Sequence, residues 1–225
     1  MKSFAKEDPF KILFFDNHLL VADKKAGLLT QPNETSEENL QDLLKKWVKE
    51  KCKKPGGVFL HCVHRLDKPV SGIVVFARTS KALSRLNEQL RAKSWHRIYM
   101  AIVEGTIEKE KQRVVHGLLH GEHKAEVVLL QHPLAKRAEL VVSVVERGKR
   151  ATLVSIELHT GRYHQIRAQM SALGHPIVGD QKYGSKISSG RILLHQAELE
   201  LVHPVSKEKM LFHSKVPFSL QEVAE

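Results

Sequence analysis

The residues best suited to chemistry lie in segment 64–72, which reads HRLDKPVSG. Asp67 has Arg65 and Lys68 close by, and the proline and glycine that follow predict an irregular backbone. The positive charges favour an ionised carboxylate, which a nucleophile or a general base requires. The alternative is an aspartate that caps a turn or pairs with a surface arginine. Taken by itself, segment 64–72 favours such a structural aspartate over a catalytic one.

A second group of polar side chains occupies segment 160–169, which contains two arginines, a histidine, a tyrosine and two glutamines. We predict a helix from about Tyr163, with His164 and Arg167 three residues apart on one face. Such a face suits contacts to phosphates or bases, and an arginine on it could pair with a buried carboxylate. A solvated helix face is the alternative, and the density of planar donors argues against it.

A third segment, 173–184, holds three glycines and a proline, which predict a loop of defined shape. Asp180 in this loop could be a second carboxylate for acid–base chemistry. We favour a structural role for Asp180, in which it accepts hydrogen bonds from backbone amides of the loop.

Two other kinds of site are disfavoured. The chain has fourteen histidines but no HExxH motif, and its two cysteines lack zinc-site spacing, so we predict no metal. No Walker loop or GxGxxG motif opens a helix after a strand, so nucleotide-dependent chemistry is disfavoured.

The overall charge favours a polyanionic partner. The 225 residues carry a formal charge of +11, and the pI is near 9.6. Basic proteins bind nucleic acid partly by releasing counterions from phosphates, although charge alone does not separate RNA from DNA. The sequence has no apolar run long enough to cross a bilayer, and residues 1–10 show no apolar stretch with a cleavage site, so we expect no leader peptide. We therefore expect a cytoplasmic protein that does not associate with membranes, with a short N-terminal tail at residues 1–10.

The apolar patterns predict a mixture of strands and helices. Runs 12–15 and 19–22 predict a β-hairpin. A helix is predicted after Thr35, with Glu38 completing a capping box, and another after Thr79 or Ser80. Further strands are predicted at 73–76, 97–105, 126–130, 138–145, 152–158, 192–195, 197–202 and 210–212, and residues 108–124 are interpreted as an exposed insertion. Strands outnumber helices without regular alternation, so we predict an α+β fold, with a mostly antiparallel mixed sheet flanked by helices, in one domain at residues 11–225.

Four motifs in order, across about residues 12–213, resemble the RluA-type family of RNA pseudouridine synthases. Segment 64–72 resembles the family's catalytic motif, and segment 97–105 resembles its tyrosine motif. Segment 161–184 is similar to its C-terminal signature, and Leu194-His195 with His203-Pro204 resembles its closing block. The chain has Lys24-Lys25-Ala26-Gly27 where the family usually has Lys-Pro-Ala-Gly.

The resemblance implies a pseudouridine synthase-like catalytic domain with a central RNA-binding cleft. It implies that Asp67 starts the reaction, by attack on C1′ or by removal of the C2′ proton. Tyr99 would stack on the flipped uracil, and Arg167 would pair with Asp67 and keep it ionised. The matching motif positions imply a second, substrate-binding set, namely His64, Arg65, Arg162, His164 and Gln165.

Partners and alternatives follow from the same resemblance. It implies an isomerase that acts on uridine in rRNA or tRNA and requires no cofactor, and we expect a monomer by default. Many relatives carry an N-terminal RNA-binding domain of the S4 type, which we expect to be missing here, so target selection would reside in the catalytic domain. A binding module with the same fold but no catalysis is the alternative, although it would not need Asp67, Tyr99 and Arg167. A nucleoside or glycoside hydrolase is disfavoured by the charge and by the lack of a clear carboxylate pair.

Overall fold

A computed structural model describes residues 8–223, which contain eleven β-strands and three α-helices. The predicted α+β class is confirmed. The described chain divides into two compact units, unit 1 (residues 8–91 and 202–209) and unit 2 (residues 92–201 and 210–223). The single domain at residues 11–225 stays a prediction. Residues 1–7 of the predicted tail lie outside the described residues, and Phe10 already belongs to the first strand.

Unit 1 is built on a small antiparallel sheet. Its elements are β1 (Phe10–Phe15), β2 (Leu19–Lys24), α1 (Leu40–Lys51), β3 (His61–Cys62), β4 (Ser71–Ala77) and α2 (Ser80–Arg91). Strand β2 pairs with β1 and β4, and β3 pairs with β4. The predicted hairpin is therefore confirmed. All seven residues of β4 are buried, as its continuous apolar sequence predicts, and α2 packs against it.

Helix α1 begins later than the sequence predicts. Its N-cap is Asn39, whose Oδ1 accepts the backbone N–H of Asp42 at 3.0 Å. The Asn39 amide also donates to the Asp42 carboxylate at 2.8 Å. Thr35 instead donates its hydroxyl hydrogen to Asn33. The predicted Thr35 cap is wrong because Asn39, which directly precedes the first helical residue, accepts a free N–H of the first turn.

Unit 2 carries a longer antiparallel sheet. Its elements are β5 (His96–Glu104), β6 (Lys111–His120), β7 (Ala125–Val128), β8 (Lys136–Arg147), β9 (Ala151–Leu158), α3 (Gln165–Ala172), β10 (Leu194–Val202) and β11 (Lys209–His213), of which the last residue of β10 and the first of β11 fall in unit 1. The strand order is β10-β5-β9-β8-β6-β7, and β11 pairs with β10. The two strands predicted at 192–195 and 197–202 form one strand, β10, with a register shift between Gln196 and Glu198.

Two predictions in unit 2 are wrong. Residues 108–124 are not an exposed insertion, because β6 lies between β8 and β7 and buries Val114 and Leu118. The three polar residues at its start, Lys111-Gln112-Arg113, and the histidines at 116 and 120 interrupt its apolar pattern and made the strand hard to predict. Helix α3 begins at Gln165 rather than Tyr163, since His164 has a left-handed backbone with φ of 51°. His164 and Arg167 therefore do not share a helix face.

No helix among residues 8–223 is both long enough and apolar enough to cross a membrane.

Candidate active site

In unit 1, Asp67 lies in the loop between β3 and β4 and is half-buried. Its backbone carbonyl accepts the N–H of Val70 at 3.0 Å, which closes a turn. Leu66 and Val70 on either side of this turn are buried. The carboxylate is therefore presented from a short loop anchored by apolar side chains.

Three hydrogen bonds, made by two residues, fix the Asp67 loop to the segment after β2. The buried hydroxyl of Thr30 donates to the Leu66 carbonyl at 2.7 Å and accepts the Leu66 N–H at 3.2 Å. The Gly27 N–H donates to the Lys68 carbonyl at 2.8 Å. Because both residues adjacent to Asp67 are held, the carboxylate keeps little freedom beyond its own side-chain rotations.

The third anchor of the loop is Lys24, which is fully buried at the end of β2. Its ammonium donates to the carbonyl oxygens of Leu28 at 2.7 Å, Lys25 at 3.1 Å and Lys68 at 3.2 Å. Burial lowers the pKa of Lys24 to about 7, although the charges of Asp67 and Asp23 oppose the shift. Lys24 therefore joins the loop after β2 to the residue that follows Asp67.

The pKa of Lys24 predicts a pH-dependent stability. In the unfolded chain Lys24 has its ordinary pKa near 10.5 and is protonated between pH 7 and 10. In the folded protein it has lost this proton over the same range. The free energy of unfolding of the wild type, relative to that of Lys24→Met, therefore increases as the pH rises through this window, by up to about 1.4 kcal/mol per pH unit. Urea unfolding of both proteins across pH 7–10 measures this difference in the free energy of unfolding.

The neighbouring Lys25 is exposed and supplies the control. The stability difference between the wild type and Lys25→Met should not change across pH 7–10. A flat profile for Lys24→Met as well would mean that the three carbonyl groups keep the Lys24 ammonium charged in the folded protein, which would contradict the prediction.

In unit 2, Tyr99 lies in the middle of β5 and is buried. Its hydroxyl donates to the side-chain oxygen of Gln196 on β10 at 2.7 Å. Since the register places Tyr99 opposite Gln196, the sheet itself sets the position of the ring. The hydroxyl hydrogen is committed to Gln196, so the ring face is what Tyr99 can offer to a ligand.

Arg167 lies on α3 and forms a buried, two-pronged ion pair with Asp180. Its Nε and Nη2 atoms donate to the two carboxylate oxygens at 2.6 and 2.8 Å. The side chains of Arg167 and Asp180 are 5% and 1% exposed. The Asp180 carboxylate thus binds a guanidinium, whereas the sequence interpretation favoured loop amides as its partners. Such a pair fixes the plane and direction of the guanidinium.

The loop that carries Asp180 is held by a glycine and a carboxylate. Gly179 has φ of 82°, and a β-carbon there would lie 1.9 Å from the carbonyl oxygen of Arg191. Glu104, at the end of β5, accepts the N–H groups of Lys186 and Ile187 at 2.6 and 2.7 Å and the hydroxyl of Ser185 at 2.6 Å. Strand β5 therefore positions the loop around Asp180.

The other residues predicted to bind substrate have different surroundings. In unit 1, the Nε2 atom of His64 accepts the N–H of Val75 on β4 at 3.2 Å, whereas Arg65 is exposed. This contact gives His64 a role in placing the Asp67 loop. Arg65 has its guanidinium at the surface, where a phosphate could reach it.

In unit 2, the side chain of Gln165 is buried and bonded within the protein. Its oxygen accepts the Thr160 hydroxyl at 2.8 Å and the Arg162 N–H at 3.0 Å, and its amide donates to the Glu139 carbonyl at 3.1 Å. Gln165 thus shapes the turn before α3. Arg162 is exposed, and its Nε donates to the Arg137 carbonyl at 3.2 Å.

Asp67 belongs to unit 1, whereas Tyr99 and Arg167 belong to unit 2. The pairing of Arg167 with Asp67 stays a prediction. The sequence interpretation missed the roles of Lys24, Thr30 and Asp180. A partial signal for Lys24 was present, because period-2 spacing places it on the same strand face as the apolar Leu20 and Ala22.

Comparisons with known proteins agree on one family. The model of the RNA pseudouridylate synthase family matches residues 18–172. The chain is 36% identical over 211 residues to a dual-specificity RNA pseudouridine synthase RluA of Haemophilus influenzae, covering 92% of this chain and 93% of that protein. It is 35% identical to ribosomal large subunit pseudouridine synthase D of Nitrosomonas europaea, covering 95% of this chain and 64% of that protein.

Solved structures support the fold. The chain is similar to human RNA pseudouridylate synthase domain containing 4, with a TM-score of 0.80, 23% identity, and coverage of 94% and 92% of the two chains. Human RNA pseudouridylate synthase domain containing 1 gives a TM-score of 0.75 at 24% identity, with coverage of 99% and 89%.

Proposed function

Because this chain belongs to the RNA pseudouridylate synthase family and is an isomerase, we propose that it converts uridine to pseudouridine in rRNA or tRNA, with Asp67 as the catalytic carboxylate. The observation that carries the proposal is the family match across residues 18–172, a span that includes Asp67, Tyr99 and Arg167. The name of the Nitrosomonas relative supports a ribosomal target. We further propose that the protein acts in the cytoplasm as a monomer.

The reaction breaks the N1–C1′ bond of uridine, turns the uracil, and forms a C5–C1′ bond; C5 loses its proton and N1 gains one, so that the product is an isomer of the substrate. Asp67 either attacks C1′ and holds the sugar, as the nucleophile of a retaining glycosidase does, or removes the C2′ proton. Uracil leaves as a stabilised anion and stays bound, so a second carboxylate acting as general acid is not required. Both routes need an ionised Asp67.

The remaining residues would hold the sugar and the base. The anchors at Leu66 and Lys68 restrict the backbone of Asp67, which suits a group that must meet one carbon of the ribose. Tyr99 would place its ring against the uracil, since its hydroxyl hydrogen is bonded to Gln196. Arg167, oriented by Asp180, would direct its guanidinium towards Asp67.

The target uridine must leave the base stack before these groups can reach it. The C1′ and C5 atoms are inaccessible in a stacked helix, so the enzyme acts on a flipped or unpaired nucleotide. The formal charge of +11 would supply the affinity for the RNA backbone that opposes the loss of stacking.

The test is direct conversion. The purified protein is incubated with rRNA and tRNA transcripts, and pseudouridine is mapped chemically. We expect pseudouridine at one or a few defined sites in at least one of the two RNA classes. Tight RNA binding without any product would overturn the proposal and favour a binding module with the same fold.

A further inference from the structure

Three aromatic rings of unit 2 form a continuous stack, and one of them belongs to His164 of the predicted substrate-binding set. The rings of His164 and Tyr163 have centroids 3.8 Å apart and planes inclined by 20°. The rings of Tyr163 and His120 follow, with centroids 4.4 Å apart and planes inclined by 26°. We name this group the ring stack; it consists of His164, Tyr163 and His120.

The inner end of the ring stack is fixed. His164 is buried, and its Nδ1 lies 3.0 Å from the hydroxyl of Tyr183. That hydroxyl also accepts the N–H of Ala125 at the start of β7, at 2.7 Å. Tyr163 packs against the apolar cluster that contains Leu118 and Tyr183. Packing within the protein therefore accounts for the two inner rings.

The outer end of the ring stack is not accounted for by packing. His120 is the last residue of β6 and is exposed. Tyr163 lies on one side of its ring, and stacked rings leave the opposite face of the outermost one uncovered. A planar group that stacks on that face would add a fourth ring to the stack. Nucleobases are such groups, because every base has a π-face.

Basic side chains lie beside the ring stack. A cavity is lined by His120 and Tyr163 together with Lys136, Gly161 and Arg162. Lys136 and Arg162 are both exposed. A stacking ring next to ammonium and guanidinium groups combines the two features with which proteins bind single-stranded nucleic acid.

We propose that the ring stack is a second RNA contact, at which an unstacked base lies on His120 while Lys136 and Arg162 contact its phosphates. The proposal rests on RNA being the substrate. The site would bind a nucleotide other than the one that is isomerised, and would contribute affinity without taking part in bond breaking. If His120 served only the packing of the ring stack, removal of its ring would leave the affinity for RNA unchanged.

The first experiment measures binding of a labelled single-stranded oligouridine of about ten nucleotides, a length within the range that one protein surface covers. Replacing an exposed ring leaves the fold intact, so His120→Ala tests the contact directly. We expect the dissociation constant to rise roughly 5- to 100-fold, the range that loss of one base-stacking contact produces. His120→Phe keeps a stacking ring and should restore most of the affinity.

Two further variants separate stacking from charge. Lys136→Ala should weaken binding and reduce the slope of log affinity against log salt by about 0.7 for single-stranded RNA, whereas His120→Ala should leave this slope unchanged. His213→Ala is the matched control, because this ring lies on β11 in the same unit with its side chain 60% exposed. It should bind oligouridine as the wild type does.

The proposal is overturned if wild-type protein does not bind oligouridine, if His120→Ala binds it as tightly as wild type, or if phenylalanine fails to restore the loss. The proposed function is judged separately, by product formation. At limiting transcript, His120→Ala should form pseudouridine more slowly than the wild type, because its affinity for RNA is lower. If both proteins form pseudouridine and His120→Ala binds oligouridine as tightly as the wild type, only the ring-stack contact is refuted. If His120→Ala binds oligouridine more weakly and neither protein forms pseudouridine, only the proposed isomerase activity on RNA is refuted.

Discussion

Asp67→Asn is expected to abolish pseudouridine formation while leaving RNA affinity nearly unchanged. The amide keeps the size of the side chain but can neither attack C1′ nor accept the C2′ proton. The rate in a single-turnover assay should fall by more than about 10²-fold even if Asp67 acts only as a base. RNA affinity should stay the same or increase slightly, because a negative charge near phosphates is removed.

The control is Asp42→Asn, which neutralises a carboxylate on α1 whose side chain is 48% exposed. It should leave both the rate and the affinity at wild-type values. Substantial turnover by Asp67→Asn would refute the assignment of Asp67. Transcripts with deuterium at C2′ of uridine then separate the two routes, since a primary isotope effect on the rate is expected only if the C2′–H bond breaks.

Asp180→Asn is expected to cause a large loss of stability. Arg167 is 5% exposed, and its pairing with Asp180 uses two hydrogen bonds, so removal of the carboxylate charge leaves a buried guanidinium poorly compensated. Breaking one side of a buried ion pair reduces the free energy of unfolding by about 3–5 kcal/mol. Urea unfolding at neutral pH measures the effect.

A surface ion pair of the same unit supplies the control. The Nη2 atom of Arg191 lies 2.9 Å from the Oε2 atom of Glu222, and the two side chains are 38% and 40% exposed. Glu222→Gln should change the free energy of unfolding by less than about 1 kcal/mol. A similarly small effect of Asp180→Asn would contradict the prediction.

Replacing both members of the buried pair separates stability from activity. The double variant Arg167→Met with Asp180→Leu removes both charges and should recover much of the stability lost by Asp180→Asn. It should remain inactive, because no guanidinium would then be available to Asp67. An active double variant would show that Arg167 serves the fold alone.

Elements with a continuous or strictly periodic apolar pattern could be predicted from the sequence. Strand β4 has an uninterrupted apolar run, and α2 places Leu83, Leu86 and Leu90 along one face. Strand β6 was missed because polar residues open it and interrupt its apolar pairs, so that the sequence shows neither a continuous apolar run nor period-2 alternation. The start of α1 was misplaced because the capping box at Thr35 and Glu38 matched the expected pattern, whereas Asn39 caps the helix by accepting the N–H of Asp42.

The candidate site was predictable to a different extent. Segment 64–72 identified Asp67 because a family motif is carried by local sequence. The partners of Asp180 and Lys24 could not be predicted, since Arg167 is thirteen residues from Asp180 and Lys24 contacts Lys68 from forty-four residues away. Such contacts depend on how distant segments fold together. The left-handed backbone at His164 was also unexpected, because no glycine marks it.

The bonds of Glu104 to Ser185, Lys186 and Ile187 have a consequence for exchanging parts between relatives. The loop around Asp180 is not an independent module, because three of its hydrogen-bond donors bond to one carboxylate oxygen of Glu104, which lies on a strand about eighty residues earlier. A chimaera that receives segment 179–187 from a relative must receive the matching residue at position 104 as well. A loop exchanged without it would leave its donors or the carboxylate unpaired, and Arg167 would be oriented by a differently shaped segment.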